Sequence, residues 1–460
     1  MTLTLLDAPP LSLTTGLAQA RRLAARAQDE AAKRAYLDIL RADPTSLDAL
    51  LELARLALRG GSRSAARTAY EQAIFCHPDN PVARVNLGNL LIESGEFDAA
   101  RSQFAQAIAR SPGLAPAHQG LARVLTALGD AAGAQSHWAK GFACGGLAPQ
   151  PFHGTGQGVR VLLLVSAKGG NIPTRTLIDD TLFAVTALYA EFYDPARPPP
   201  PHDLVFNAIG DADLCGEALA KAREIVAVSP APVINPPDAV ARTGRAANAC
   251  RLAGLADVVV PAIRPMARAA LLAADDLAFP LLVRSPGFNT GQHFVRVEHR
   301  ADLPAAIADL PGDELLAIEP LDCRSDDGLV RKYRAMLIGG ALHPLHLALS
   351  ADWKVHYFTA DMALSAAHRA EEAAFLQGIP AAIGARATAA LRAIDAALGL
   401  DYAGVDFAVA PDGRLMLFEA NPGMVISPPG PEPMWDYRRA PIQRALGAVR
   451  ALFLSRATAQ

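Results

Sequence analysis

The first part of the chain carries apolar and small residues at helical spacing, within a longer repeat of 34 residues. Five sets of residues keep this spacing. They are prolines (Pro10, Pro44, Pro78, Pro112), aromatic residues (Tyr36, Tyr70, Phe104, Trp138), small residues of the first helix (Ala20, Ala54, Gly88, Ala122), turn residues (Ala27, Gly61, Gly95, Gly129) and alanines that follow the turn (Ala32, Ala66, Ala100, Ala134). The pattern predicts stacked helix pairs, because one pair cannot bury its apolar face alone. An ordinary alanine-rich bundle is the alternative, but it has no reason to keep a strict spacing.

From about residue 146 the hydrophobic pattern changes to short apolar runs. Residues 146–158 are rich in glycine and proline and indicate a linker. The runs at 159–166, 203–208, 224–228 and 258–261 are candidate strands, and 174–192 and 238–254 are candidate helices. Alternation of strands and helices predicts a parallel sheet with helices on both faces.

Beyond about residue 263, strand-like runs follow one another with few helices between them. They lie at 279–284, 291–297, 314–320, 330–338 and 341–349, before a helix at 380–398 and two last strands at 403–410 and 414–420. This pattern predicts an α+β domain. The expected organisation is multidomain: an all-α repeat domain at 1–147, a linker at 148–158, an α/β domain at 159–262 and an α+β domain at 263–455.

The composition of the chain limits the classes of protein to which it can belong. The chain has 460 residues, 51% hydrophobic and 19% charged, so large cores are expected and disorder is not. Its net charge of −3 favours neither nucleic acid nor a membrane surface as partner. Five scattered cysteines without a CxxC pair argue against disulfides and structural zinc. With no signal peptide or apolar span apparent, a cytoplasmic location is expected.

The segment from Gly404 to Met424 carries the most informative chemistry. It is typical of a β-hairpin, with Asp406 on the first strand and Glu419 and Asn421 two residues apart on the second. Those two share one face, and the hairpin brings Asp406 across from them. Three oxygen donors in this arrangement suit Mg²⁺. A hairpin with acids on its surface is the alternative.

The pattern Asp-x12-Glu-x-Asn followed by Pro-Gly resembles the metal site of the ATP-grasp superfamily of ligases. That superfamily includes D-alanine–D-alanine ligase, glutathione synthetase and enzymes that add glutamate to a ribosomal protein. The resemblance covers about residues 159–455. It implies an α/β pre-ATP-grasp domain and an ATP-grasp domain, with ATP and two Mg²⁺ ions as cofactors. Glu419 would bridge the two ions, and Asp406 and Asn421 would each hold one.

Further residues follow the order of ATP-grasp nucleotide sites. Arg284, Asn289 and Gly291 belong to a segment that resembles the phosphate-binding strand and glycine-rich loop, and Arg245 falls near the other expected nucleotide cation. The family usually has lysine at both cationic positions, and arginine can grip phosphate in its place. Glu319 ends a strand that resembles the adenine-contacting strand. A solvated surface charge is the alternative for Arg245 and for Arg284, and an acid on an edge strand is the alternative for Glu319.

Arg334 precedes a Gly-Gly turn on a strand that resembles the family's Asp-x-Arg strand. The resemblance implies that Arg334 stabilises charge on the transferred phosphoryl group, although Lys332 stands where the family has aspartate. Lys354 and His356 fall where related enzymes place substrate contacts. A satisfied histidine beside a core tryptophan is the alternative.

The spacing of 34 residues resembles the tetratricopeptide repeat (TPR) family. Together the resemblances imply a ligase that joins a carboxylate to an amine through an acyl phosphate, with a TPR groove that recruits a peptide or protein. The repeats could instead form a homodimer. Two other functions stay open, a catalytically silent nucleotide-binding scaffold and an ATP-grasp phosphoryltransferase.

Overall fold

Four pairs of helices open the computed structural model, which describes residues 13–25, 28–143, 145–288, 291–355 and 360–458. The chain divides into two compact units, residues 1–144 and residues 145–460, termed the repeat unit and the second unit. The helices described in the repeat unit are α1 (Leu13–Ala25), α2 (Asp29–Ala42), α3 (Leu47–Arg59), α4 (Arg63–Cys76), α5 (Pro81–Glu93), α6 (Phe97–Arg110), α7 (Ala115–Ala127) and α8 (Ala131–Gly141). Each odd-numbered helix packs on the even-numbered helix that follows it.

Small and aromatic residues recur because they touch across helices. Phe104 of α6 is fully buried. A Cβ atom on Gly88 of α5 would lie 2.7 Å from its ring, and one on Gly120 of α7 would lie 2.2 Å from it. Any larger residue at either position therefore forces the packed ring to move.

The turns between paired helices are confirmed. Gly61, Gly95 and Gly129 have φ angles of +77°, +76° and +82°, a region that glycine enters without steric cost. Pro10 and Ala27, the corresponding members of the first repeat, lie outside the described residues.

Within its described residues, the second unit contains three sheets and the helices between them. Its strands and helices in chain order are β1 (Leu147–Pro149), β2 (Val159–Val165), β3 (Phe183–Tyr189), β4 (Leu204–Asn207), α9 (Gly216–Val228), β5 (Val233–Ile234), α10 (Pro237–Ala241), α11 (Arg245–Leu252), β6 (Val258–Val259), β7 (Ile263–Ala267), α12 (Arg268–Ala273), β8 (Leu281–Arg284), β9 (Phe294–Val297), α13 (Leu303–Ile307), β10 (Glu314–Ile318), β11 (Val330–Ile338), β12 (Ala341–Ser350), α14 (Ala366–Gln377), α15 (Ile379–Leu398), β13 (Tyr402–Val409), β14 (Leu415–Asn421) and α16 (Arg439–Ala457).

The first sheet has the order β1-β3-β2-β4-β5. Strands β3, β2, β4 and β5 run parallel, and β1 pairs antiparallel with β3 at the edge. Residues 147–149, which the sequence assigns to the end of the repeats and the linker, thus form an edge strand of this sheet.

Two predicted elements in this region are wrong. The helix expected at 174–192 contains β3, whose buried residues Phe183, Val185 and Ala187 alternate as a strand requires. The strand expected at 224–228 is the last part of α9. There Ala218, Ala222 and Ile225 are buried at helical spacing.

The two later sheets build the cleft described below. One has the order β7-β10-β8-β9 and packs against α12 and α13, and the other has the order β12-β11-β13-β14-β6. The short strand β6 runs parallel to β14. The chain is therefore a helical repeat region followed by a mixed α/β region. None of the helices in the described part of the chain has the length and apolar character that a membrane span needs.

Candidate functional site

A cavity of about 1040 Å³ in the second unit is lined by residues from both later sheets. Strand alternation decides which side chains reach it. On β10, Leu316 and Ile318 line the cavity, while Leu315 and Ala317 pack into the core beneath. On β8, Leu282 lines the cavity together with Arg284. One wall is therefore apolar and ends in a cation.

The predicted hairpin is present as β13 and β14. Its register pairs Asp406 with Glu419 and Gly404 with Asn421, with an irregularity directly after Asp406. Asp406, Glu419 and Asn421 all line the cavity. The structure thus brings the three proposed oxygen donors to one wall.

Asp406 is enclosed by cationic side chains. Arg334 donates from Nε to Oδ1 over 2.5 Å and from Nη2 to Oδ2 over 2.8 Å. Lys332 Nζ lies 2.7 Å from Oδ2, and the Asp406 side chain is 1% exposed. Burial raises the pKa of this carboxyl, but the charges of Arg334 and Lys332 outweigh burial and hold the pKa far below its usual range.

Glu419 has a cationic partner of its own. Arg245 Nη2 lies 2.5 Å from Glu419 Oε1, and the Glu419 side chain is 28% exposed. Burial opposes ionisation of Glu419, while Arg245 and Arg284 lower its pKa below the usual value. Asn421 donates from Nδ2 to the same Oε1 over 2.7 Å, and its Oδ1 accepts from the Gly423 amide over 2.9 Å.

Arg284 is a buried cation, 8% exposed. Burial and the nearby Arg245 lower the pKa of its guanidinium to about 10. It donates to the Phe288 carbonyl and lies 5.7 Å from the centre of the Phe294 ring. Its direct partners are thus a carbonyl and a ring face, while the carboxylates of Glu419 and Asp211 act on it through the electrostatic field.

The remaining predicted residues lie at the rim of the cavity or outside the described part of the chain. Glu319 is exposed at the end of β10, where its Oε2 accepts from the Ala262 amide over 3.3 Å. Gly291 has φ of +73°, and a Cβ atom there would lie 2.7 Å from Lys354 Cε. Lys354 donates to the Phe294 carbonyl over 3.3 Å. Asn289 and His356 lie outside the described residues.

Three site residues escaped the sequence-based assignment. Lys332 was noted only as a departure from the family. Asp213 Oδ2 accepts from the Arg245 backbone N over 2.9 Å at the start of α11, and Asn248 donates to the Ala420 carbonyl over 2.6 Å. Asp213 thus holds the first residue of α11, and Asn248 ties α11 to the hairpin. The only available signal was the Asp-x-Asp pattern after β4, which is common at helix starts.

The donor set does not fit two Mg²⁺ ions in this arrangement. Both oxygens of Asp406 are already bound to Arg334 and Lys332. The amide oxygen of Asn421 is turned to Gly423, and its nitrogen faces Glu419. Among the described residues, no group of three or more His, Cys, Asp or Glu side chains is placed to hold a metal ion. The two-ion site stays a prediction from the family resemblance.

Comparison with known proteins identifies the first unit. Residues 91–137 match the family model described as tetratricopeptide repeat. The N-terminal region carries TPR repeats. No curated protein matches the chain.

Three solved structures that are similar to this chain each cover less than a third of it. One is MamA, 23% identical, with 27% of this chain and 72% of MamA covered and a TM-score of 0.26. Another is MamA from Desulfovibrio magneticus RS-1, 17% identical, with 29% and 75% covered and a TM-score of 0.26. A third is YrrB, described as a TPR protein with an unusual peptide-binding site, 20% identical, with 29% and 68% covered and a TM-score of 0.26.

Proposed function

We propose that the second unit binds ATP in its large cavity and uses it to activate a substrate carboxylate for ligation to an amine. One observation carries the proposal. A single cavity combines an apolar wall, formed by Leu282, Leu316 and Ile318, with a cluster of cations that includes Arg245 and Arg284. A purine ring suits the first surface and a triphosphate the second.

The reaction requires little covalent chemistry from the protein. A carboxylate oxygen bonds to the γ-phosphorus of ATP as the bond from that phosphorus to the ADP oxygen breaks. The amine nitrogen then bonds to the acyl carbon, phosphate leaves, and the amine gives up a proton. Arg334 would neutralise the charge that develops on the transferred phosphoryl group.

The repeat unit, called the TPR unit from here on, supplies the second part of the proposal. TPR solenoids offer an extended surface to peptides or proteins. We propose that this unit binds a peptide or protein that is the substrate or partner of the second unit.

A catalytically silent nucleotide-binding scaffold is the second candidate function. The ion pairs of Asp406 with Arg334 and Lys332 favour it, because the carboxylate predicted to serve the chemistry is already neutralised. ATP binding without turnover would distinguish this function from the ligase.

ADP release from ATP, measured on the full chain over a panel of amino acids and short peptides, tests the ligase. We expect substrate-dependent ADP release with an amide product. Arg284→Met should lower kcat/KM for ATP by roughly tenfold or more, because a charge-assisted contact to phosphate is lost. Arg264→Met is the matched control, since Arg264 lies on β7 of the same sheet but pairs with Asp276 and does not line the cavity.

Each contrary result has a defined meaning. A stable phosphorylated product in place of an amide would identify a phosphoryltransferase. Equal losses in Arg284→Met and Arg264→Met would show that Arg284 acts through folding rather than through ATP.

A further inference from the structure

We infer that this site holds the polyphosphate of its nucleotide with side-chain cations and needs no divalent metal ion for binding. The inference rests on the proposed ATP site and concerns how that site neutralises charge. Four cationic side chains, Lys332, Arg334, Arg245 and Arg284, converge on the wall where the family resemblance places two Mg²⁺ ions.

Strand register builds the central ion pair. Arg334 of β11 is the direct cross-strand neighbour of Asp406 of β13. Both nitrogens of its fork engage both carboxylate oxygens. Such a bidentate pair has a fixed planar geometry. Arg334 is therefore held over Asp406 by the backbone and not only by a choice of rotamer.

Lys332 closes the remaining approach to Asp406. It lies two residues before Arg334, so both side chains project from the same face of β11. Its ammonium is 2.7 Å from Asp406 Oδ2, and the carboxylate is 1% exposed. A metal ion could reach Asp406 only by displacing a cation from a buried carboxylate, which leaves that cation to find another partner in a water-poor site.

The second carboxylate is occupied in the same way. Arg245 is anchored at the start of α11 by Asp213 and reaches Glu419 Oε1 over 2.5 Å. Asn421 adds an N–H donor to that oxygen. At the hairpin the cations Lys332, Arg334, Arg245 and Arg284 act on two carboxylates, those of Asp406 and Glu419, while Asp211 and Asp213 also line the cavity. Positive charge therefore exceeds negative charge around the two hairpin carboxylates, which favours an anionic ligand there over a further cation.

Calorimetric titration of ATP into the full chain, first in excess EDTA and then in excess Mg²⁺, tests the inference. For the wild-type protein we expect dissociation constants that agree within about threefold. Lys332→Asp removes one cation and adds a carboxylate beside Asp406. In this variant ATP binding in EDTA should be at least about thirtyfold weaker than in Mg²⁺, because two neighbouring carboxylates then require a metal.

Arg331→Met is the matched control. Arg331 precedes Lys332 on the same strand, projects from the opposite face and pairs with Asp327 and Glu371 outside the cavity. It should bind ATP like the wild-type protein in both buffers. If Lys332→Asp does not fold, as judged by circular dichroism, Lys332→Met replaces it. The comparison of wild-type ATP binding in EDTA and in Mg²⁺ tests the inference in either case.

Wild-type binding that occurs only with Mg²⁺ would overturn the inference and leave the proposed ATP site standing. Binding of ATP in neither buffer by the folded chain would overturn the ATP site and the inference together. Equal binding of ATP in both buffers without ADP release would support the inference and contradict only the proposed ligase activity.

Discussion

The two units of this chain depend on their sequence in different ways. In the TPR unit, the contact of Phe104 with Gly88 and Gly120 joins residues close in sequence, and Gly88 and Phe104 belong to sets that recur every 34 residues. In the second unit, the candidate site joins Arg245, Arg284 and Asp406, which come from three separate elements. Periodicity therefore reveals the packing of the first unit directly. The site of the second unit becomes defined only when strands pair in the correct register.

The largest effect we expect tests this dependence on register. Arg334→Met should lower the free energy of unfolding of the second unit by about 3 kcal/mol, because the buried carboxylate of Asp406 loses two charge-assisted hydrogen bonds and keeps only Lys332 as its cationic partner. Urea denaturation followed by circular dichroism measures this loss. Arg414→Met, which removes an exposed ion pair with Asp412 in the hairpin turn, should cost less than about 1 kcal/mol. Similar losses of unfolding free energy in both variants would mean that the buried ion pair contributes no more stability than the exposed one.

A steric substitution in the TPR unit gives the next largest effect. Gly120→Ala places a Cβ atom 2.2 Å from the Phe104 ring, and overpacking of this kind costs about 1–3 kcal/mol. Thermal unfolding measures the loss. Phe104→Leu in the same chain should relieve part of it, since the smaller side chain makes room. A double variant no more stable than the sum of the two single changes would contradict direct contact.

The TPR unit and the candidate site also show which structural features could be predicted from the sequence. The repeat spacing indicated the helix pairs, the turn glycines and the buried aromatic residues, because each follows from neighbours in the chain. The hairpin of Asp406 and Glu419 was also predictable, since its strands are joined by a short turn. Nothing local indicated that Lys332 would bond to Asp406, because this pair depends on the alignment of β11 with β13.

Local pattern also misled where tertiary packing decided the structure. Residues 183–189 lie within a stretch expected to be helical, yet they form β3, which runs parallel to β2 and antiparallel to β1. Residues 224–228 are rich in β-branched and apolar residues, yet they complete α9. In α9 burial against the neighbouring sheet outweighed local propensity, whereas Phe183, Val185 and Tyr189 are themselves strand formers and their alternation was misassigned to a helix.

A smaller effect concerns pH: a fall in pH should destabilise the TPR unit more than the second unit. His118 Nδ1 lies 2.8 Å from His137 Nδ1, and burial together with His118 lowers the pKa of His137. A histidine with a lowered folded-state pKa contributes stability above its unfolded pKa of about 6.5, and that stability is lost as pH falls through the folded value. The TPR unit should therefore lose stability between neutral pH and about pH 5. The ion pairs of Asp406 and Glu419 have lowered carboxyl pKa values and should stay intact in that range.

His137→Gln tests this assignment. The variant keeps a side chain that can hydrogen-bond His118 but has no proton to gain. Thermal unfolding at pH 7.5 and at pH 5.0 should show a smaller loss in the variant than in the wild-type chain. An equal loss would place the acid sensitivity elsewhere.

Removal of the TPR unit should have the smallest effect, because the second unit should bind small molecules without it. The candidate site is built entirely from residues of the second unit. Expression of residues 145–460 alone should therefore leave the dissociation constant for ATP within about twofold of the full-chain value. If the TPR unit recruits a macromolecular substrate, the same truncation should raise KM for that substrate while leaving KM for a small amine unchanged. Equal changes in both KM values would mean that the repeats support the site itself, and the division of labour between the two units would then be wrong.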